Sequence, residues 1–115
     1  MVLIHGRDAA AFDAVMSSFR SLAGEVVRDV RLHELPGVIA SDGCQVVATN
    51  RPGRPGIWAQ SPVGSYKWSQ DTEGWLQVAE LAVPVRQSIG ESGAHFQHLE
   101  GSGEATVIIS TEPAW

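Results

Sequence analysis

The stretch Asp8-Ala9-Ala10-Ala11-Phe12-Asp13-Ala14-Val15-Met16-Ser17-Ser18-Phe19-Arg20-Ser21-Leu22-Ala23-Gly24 decides the class of fold. Phe12, Val15, Met16, Phe19, Leu22 and Ala23 recur every three or four residues, the spacing that places side chains on one face of an α-helix. Asp13, Ser17, Arg20 and Ser21 fall on the opposite face. Asp8 stands where a side-chain oxygen can accept from the first free amides, and Gly24 stands where a helix ends. Before this helix, Val2-Leu3-Ile4 is a short β-prone run. After it the period changes to two from Val26 to Leu35. Val30 and Leu32 point one way, and Asp29, Arg31 and His33 the other, as in a strand with one wet face. A helix next to strands of that kind predicts an α+β domain.

Further along, Pro36-Gly37 ends the strand and Val38-Ile39 continues extended to the turn at Ser41-Asp42-Gly43. Cys44 to Thr49 reads as the next strand, forming a hairpin with the one before it. Asn50 to Gly56 holds two prolines and two glycines and is read as a loop. Ile57–Gln60 and Val63–Ser69 read as strand, interrupted at Ser61-Pro62. Asp71 or Thr72 then opens a second helix with Trp75, Val78, Ala79, Ala82 and Ile89 on one face, and Pro84 is expected to kink or break it. Gly90-Glu91-Ser92-Gly93 is read as a turn. His95 to Glu100 and Ala105 to Thr111 form the last two strands, split by Gly101-Ser102-Gly103. Thr106-Val107-Ile108-Ile109, apolar on both faces, suits an interior strand. The expected order is β-α-β-β-β-α-β-β, without an internal repeat. Turns too short for crossovers predict one mostly antiparallel sheet of five to six strands, with both helices packed on one face.

Composition sets limits on function. The 115 residues suit one domain, 1–115, and 43% hydrophobic residues suffice for a packed core. Thirteen acidic residues against eight basic ones give a net charge of -5, which disfavours nucleic acid, because phosphate binding needs cations. With one cysteine, Cys44, no intrachain disulfide forms, and a reducing cytoplasm is the expected compartment. Met1-Val2-Leu3-Ile4 lacks the basic start and length of a secretory signal, and no run is long enough to cross a bilayer.

No set of residues carries a catalytic or cofactor signature. His95 and His98, at i and i+3 on a strand, point to opposite faces and do not converge on a metal. His5 and His33 lie elsewhere in the chain. Cys44 near Asp42 lacks a local nucleophile motif, and a lone strand cysteine is ordinarily a small buried hydrophobe. Asp71 and Glu73 sit at a helix start, where acids stabilise the dipole without chemistry. Gly101-Ser102-Gly103 lacks the helix and lysine of a phosphate loop. No metal, cofactor or catalytic residue is assigned.

Aromatic content is the more informative signal. Trp58, Trp68, Trp75 and Trp115, with Tyr66, gather in the second half of the chain. Tryptophan is enriched where proteins bind, because it offers a large rigid area and one donor. Trp75, at helical spacing, is read as core, while Trp115 docks or frays. Tyr66 and Trp68 share one strand face with Trp58 on the neighbouring segment. Together with the basic loop residues Arg51 and Arg54, they form the candidate binding residues. In an alternative reading, His33, His98, Arg31 or Glu80 converge on a pocket between helices and sheet, as in a small-ligand domain or an enzyme without a recognisable motif.

Several segments carry a resemblance: Leu3-Ile4-His5-Gly6, Leu32-His33-Glu34-Leu35-Pro36, Gly43-Cys44, Glu73-Gly74-Trp75 and His95-Phe96-Gln97-His98-Leu99-Glu100. Their layout resembles small acidic bacterial α+β proteins, some of the immunity-protein type. The resemblance implies a non-catalytic protein that neutralises a toxin by binding it, with no catalytic residues to carry over. The expected partner is therefore a protein or a second copy in a homodimer, with a small molecule as the alternative.

Overall fold

The computed structural model describes residues 2–6, 8–51, 55–89, 95–101 and 103–111. Its elements follow the chain as β1 (Val2–Gly6), α1 (Ala9–Ala23), β2 (Asp29–Arg31), β3 (Val38–Ala40), β4 (Gln45–Asn50), β5 (Gly56–Gln60), β6 (Ser65–Gln70), α2 (Thr72–Gln87), β7 (Phe96–Glu100) and β8 (Val107–Ser110). Short 3-10 turns at Leu32–Glu34 and Ser41–Gly43 flank β3.

The class is α+β with two helices, but the single sheet of five to six strands is replaced by two four-stranded sheets, eight strands in all among the described residues. One is ordered β3-β1-β8-β7, the other β2-β4-β6-β5. Each has a parallel central pair, β1 with β8 and β4 with β6, and its remaining ladders are antiparallel. Two physical facts account for the difference. Val38–Ala40 leaves its sequence neighbours to pair with β1, so β2 and β4 form a ladder, Val30 opposite Ala48, without being consecutive. The first and last strands also pair in parallel, Leu3 beside Ile108, a long-range contact that no local turn announces.

A repeat absent from the sequence is present in the pairings. The segment β1-α1-β2-β4 corresponds to β6-α2-β7-β8, with β3 and β5 at equivalent edges. In both halves the first strand leads into a helix capped by aspartate. Asp8 Oδ1 accepts from Ala11 N at 3.0 Å, and Asp71 Oδ1 accepts from Gly74 N at 2.8 Å. Each sheet combines strands of both halves, so neither half closes a sheet alone.

Local chemistry sets the element ends. The strand expected over Val26 to Leu35 shrinks to Asp29–Arg31, since Val26 and Val27 are exposed and Leu32 turns into a 3-10 helix. There His33 Nδ1 accepts from Val46 N at 2.9 Å, tying this turn to β4. Helix α2 runs through Pro84 to Gln87 instead of breaking. The exposed proline forgoes one bond, to the Glu80 carbonyl, and the ladder resumes past it, with Ser88 N donating to Pro84 O at 3.1 Å. The turn expected at 90–93 lies outside the described residues.

The helices run antiparallel. Arg86 Nε on α2 donates to Asp13 Oδ1 on α1 at 2.7 Å. At the other end, Asn50 Nδ2 donates to Leu22 O at 2.6 Å and to Thr72 Oγ1 at 3.1 Å. One core joins both helices to both sheets: Phe12, Val15, Phe19 and Leu22 from α1, Trp75, Val78 and Ala82 from α2, Ile4, Val107 and Ile109 from one sheet, and Val46, Ala48, Ile57 and Trp68 from the other. At its centre Phe19 stacks on Trp75 (5.6 Å between centroids, 15°) and meets the edge of Trp68 (5.5 Å, 75°). Such pairs add about 0.5–1.5 kcal/mol each beyond their buried area.

Candidate functional site

Strand register sorts the aromatic residues. Across β4, β6 and β5, Val46, Tyr66 and Ala59 are partners in one row, and Ala48, Trp68 and Ile57 in the next. Both rows face the core. Trp68 has no exposed area, and its indole Nε1 donates to Glu100 Oε1 at 2.8 Å, which removes it from any surface platform. Trp75 is likewise core, its Nε1 donating to Thr49 O at 2.9 Å. Tyr66 is half-buried against the core. Trp58 takes the opposite face, directly across from Lys67. The face shared by Tyr66 and Trp68 is therefore the packed one, and Trp58 alone of the three lies on the outer side. The alternation that joined Tyr66 to Trp68 was correct, but period two does not say which side the helices cover.

The outer side of this sheet is built from alternate residues of four strands. Asp29 and Arg31 come from β2, Gln45, Val47 and Thr49 from β4, Ser65, Lys67 and Ser69 from β6, and Trp58 and Gln60 from β5. Thr49 and Ser69 are buried, whereas Gln45 and Gln60 at the hairpin end are exposed. There a groove of about 260 Å³ is lined by Gln45, Val47, Gln60, Ser61, Pro62, Ser65, Tyr66 and Lys67. The hairpin that closes it turns through a cis Ser61–Pro62 bond, and Ser65 N donates to Pro62 O at 3.1 Å. Lys67 is half-buried at the centre, flanked in register by Val47 on β4 and Trp58 on β5. Among the described residues its ammonium has no ion pair or hydrogen bond.

The other candidates lie apart. Arg51 is exposed beyond β4, its backbone N donating to Gln70 O at 3.0 Å, while Arg54 and Trp115 lie outside the described residues. Of the alternative constellation, His33 is engaged by the Val46 backbone, Arg31 pairs with Glu34 at 3.2 Å, His98 is exposed on the outer side of the first sheet, and Glu80 is exposed on α2. They do not converge, and the space between helices and sheets is filled by Phe19, Trp68 and Trp75. Cys44 is a half-buried free thiol after the Ser41–Gly43 turn. Among the described residues no three His, Cys, Asp or Glu side chains gather as metal ligands.

Two features escaped the sequence reading. Lys67 carried a signal, since Ser65, Lys67 and Ser69 alternate as the polar side of their strand. Glu100 did not. It is buried near a bulge between His98 and Glu100 and accepts from both Trp68 Nε1 and Gln70 Nε2. A charged residue in a strand ordinarily signals solvent. Comparisons of the chain with family models, curated proteins and solved structures find no match. No described helix is long and apolar enough to cross a membrane.

Proposed function

We propose that this chain is a non-catalytic binding protein of the inhibitor or immunity type, meeting a protein partner through the outer side of the β2-β4-β6-β5 sheet. The observation that carries the reading is the half-buried Trp58 directly opposite the half-buried Lys67, beside the open groove. An aromatic ring, a half-buried lysine and a rim of glutamines and serines make the usual composition of a contact surface, apolar at its centre and polar around it. Val47 and Pro62 supply further apolar area within the groove. Arg31 and Asp29 extend the polar rim along β2.

The test is affinity purification of the full chain from cells of its source, comparing wild type with Gln45→Arg and Lys67→Glu. Melting temperatures would establish that both variants fold. The reading predicts a partner retained by the wild type, lost at least roughly tenfold by both variants and kept by Glu80→Lys on the helix. Loss only on changing Glu80 would contradict it. A second copy of the chain as the partner would appear as a dimer in sedimentation that the same variants dissociate.

A further inference from the structure

We infer that Lys67 anchors a carboxylate side chain from an acidic segment of the partner protein. This rests on the preceding reading of the outer sheet face as a contact surface. The chain has thirteen acidic and eight basic residues, yet none of the eight described residues lining the groove is acidic. Among the described residues, Asp29 and Glu34 sit on or beside the distant edge strand, and Glu104, exposed beside Ile57 on β5, makes no ion pair with Lys67. Asp29 on β2 is opposite Thr49, with two strands between it and Trp58 on β5, and Glu34 is held by Arg31 at 3.2 Å. Lys67 is thus a cation in an acidic chain that no described residue neutralises.

Its position narrows the ligand chemistry. Val47 and Trp58 flank the half-buried lysine in register, and apolar neighbours of that kind lower the local dielectric and strengthen an ion pair formed beside them. Gln45, Ser61 and Ser65 offer amide and hydroxyl donors along the groove. The Gln60 amide is turned back on the Ala59 carbonyl at 3.1 Å. One ammonium with neutral donors matches a single carboxylate. A nucleic acid backbone would demand several cations, and a phosphate is ordinarily held by arginine forks or a run of backbone amides. The groove is open along its exposed glutamines, so it admits a side chain carried by an extended segment, with Trp58 beside it as apolar support.

The experiment is an NMR titration of the isotopically labelled full chain with three probes. One is a short capped peptide containing glutamate and leucine, one is the same peptide with glutamine for glutamate, and the third is acetate. The glutamate peptide is expected to bind in the millimolar range and to move the Val47 and Lys67 amides, the Trp58 indole and the Gln45 side chain. The glutamine peptide, and the glutamate peptide on Lys67→Met, should bind at least roughly tenfold more weakly. Equal shifts with both peptides would overturn the carboxylate anchor while leaving the contact surface standing. Acetate alone reproducing the full shifts and affinity would overturn the protein segment as source. Failure of the glutamate peptide to move these resonances would overturn the proposal, and shifts confined to another surface would count against the contact surface as well.

Discussion

Replacing Trp68 by phenylalanine removes one hydrogen-bond donor and part of a buried ring, and each effect has a size. Trp68 has no exposed area, and its indole donates at 2.8 Å to Glu100, itself buried. Losing a hydrogen bond to a charged group costs about 1.5–3 kcal/mol. At ~24 cal/mol per Å³ of residual cavity, an indole-to-phenyl loss of roughly 40 Å³ adds about 1 kcal/mol. The sum is about 2.5–4 kcal/mol, a large share of the ~5–15 kcal/mol typical of a domain. With an unfolding entropy near ~2.1 cal/mol/K per residue, 3 kcal/mol lowers the melting temperature of 115 residues by about 12 °C. Urea unfolding followed by circular dichroism measures the loss. A cycle with Glu100→Leu then isolates the pair, because the double variant leaves neither indole nor carboxylate stranded. Its cost should fall short of the summed single losses by about 1–2 kcal/mol. A single loss under about 1 kcal/mol, or coupling under about 0.5 kcal/mol, would refute the assignment of this bond to the core.

The equivalent helix caps should behave alike, Asp8→Ala and Asp71→Ala each lowering stability by about 1 kcal/mol in urea titration. Gly103 joins β5 to the segment before β8 at φ +96, and a Cβ there would strike the Ile57 carbonyl. Gly103→Ala should therefore lower stability by about 2 kcal/mol or more, with faster amide exchange at Glu104, whose N–H donates to that carbonyl at 2.8 Å. Gly6→Ala would bring a Cβ to 2.5 Å from the buried Phe12 ring, and calorimetry should show a loss of about 1–3 kcal/mol. Hydrogen bonding to Arg86 holds the Asp13 carboxyl below its ordinary value of 3.8. Folded pKa below unfolded pKa means that the contribution is present above 3.8 and lost as pH falls through the depressed value. Arg86→Gln should flatten that part of the stability profile, and because both groups are exposed to solvent the effect should shrink in high salt.

Helix periodicity and caps carried the clearest sequence signals. Phe12 to Ala23 and Trp75, Val78, Ala79 and Ala82 place their apolar residues as the core uses them, Ile89 packs against the core only past the end of α2, and both aspartates cap their helices. The eight-strand arrangement was hidden because β3 has only three residues and leaves its neighbours for the other sheet. The parallel pairing of β1 with β8 joins distant parts of the chain, which periodicity does not encode. In the candidate site the alternation of Tyr66 and Trp68 was legible, but which side was buried was not. That choice depends on where Phe19 and Trp75 pack. Lys67 was legible as polar, and only the register showed it between Val47 and Trp58.

Site-specific photocrosslinking tests the contact surface most directly. A photoreactive residue would be placed in turn at Gln45 and Gln60 beside the groove, at Glu80 on α2 and at His98 on the other sheet, all exposed positions. Illumination in cells of the source should give one recurring protein adduct from Gln45 and Gln60 and none from Glu80 or His98. An adduct from Glu80 or His98 with none at the groove would contradict the account.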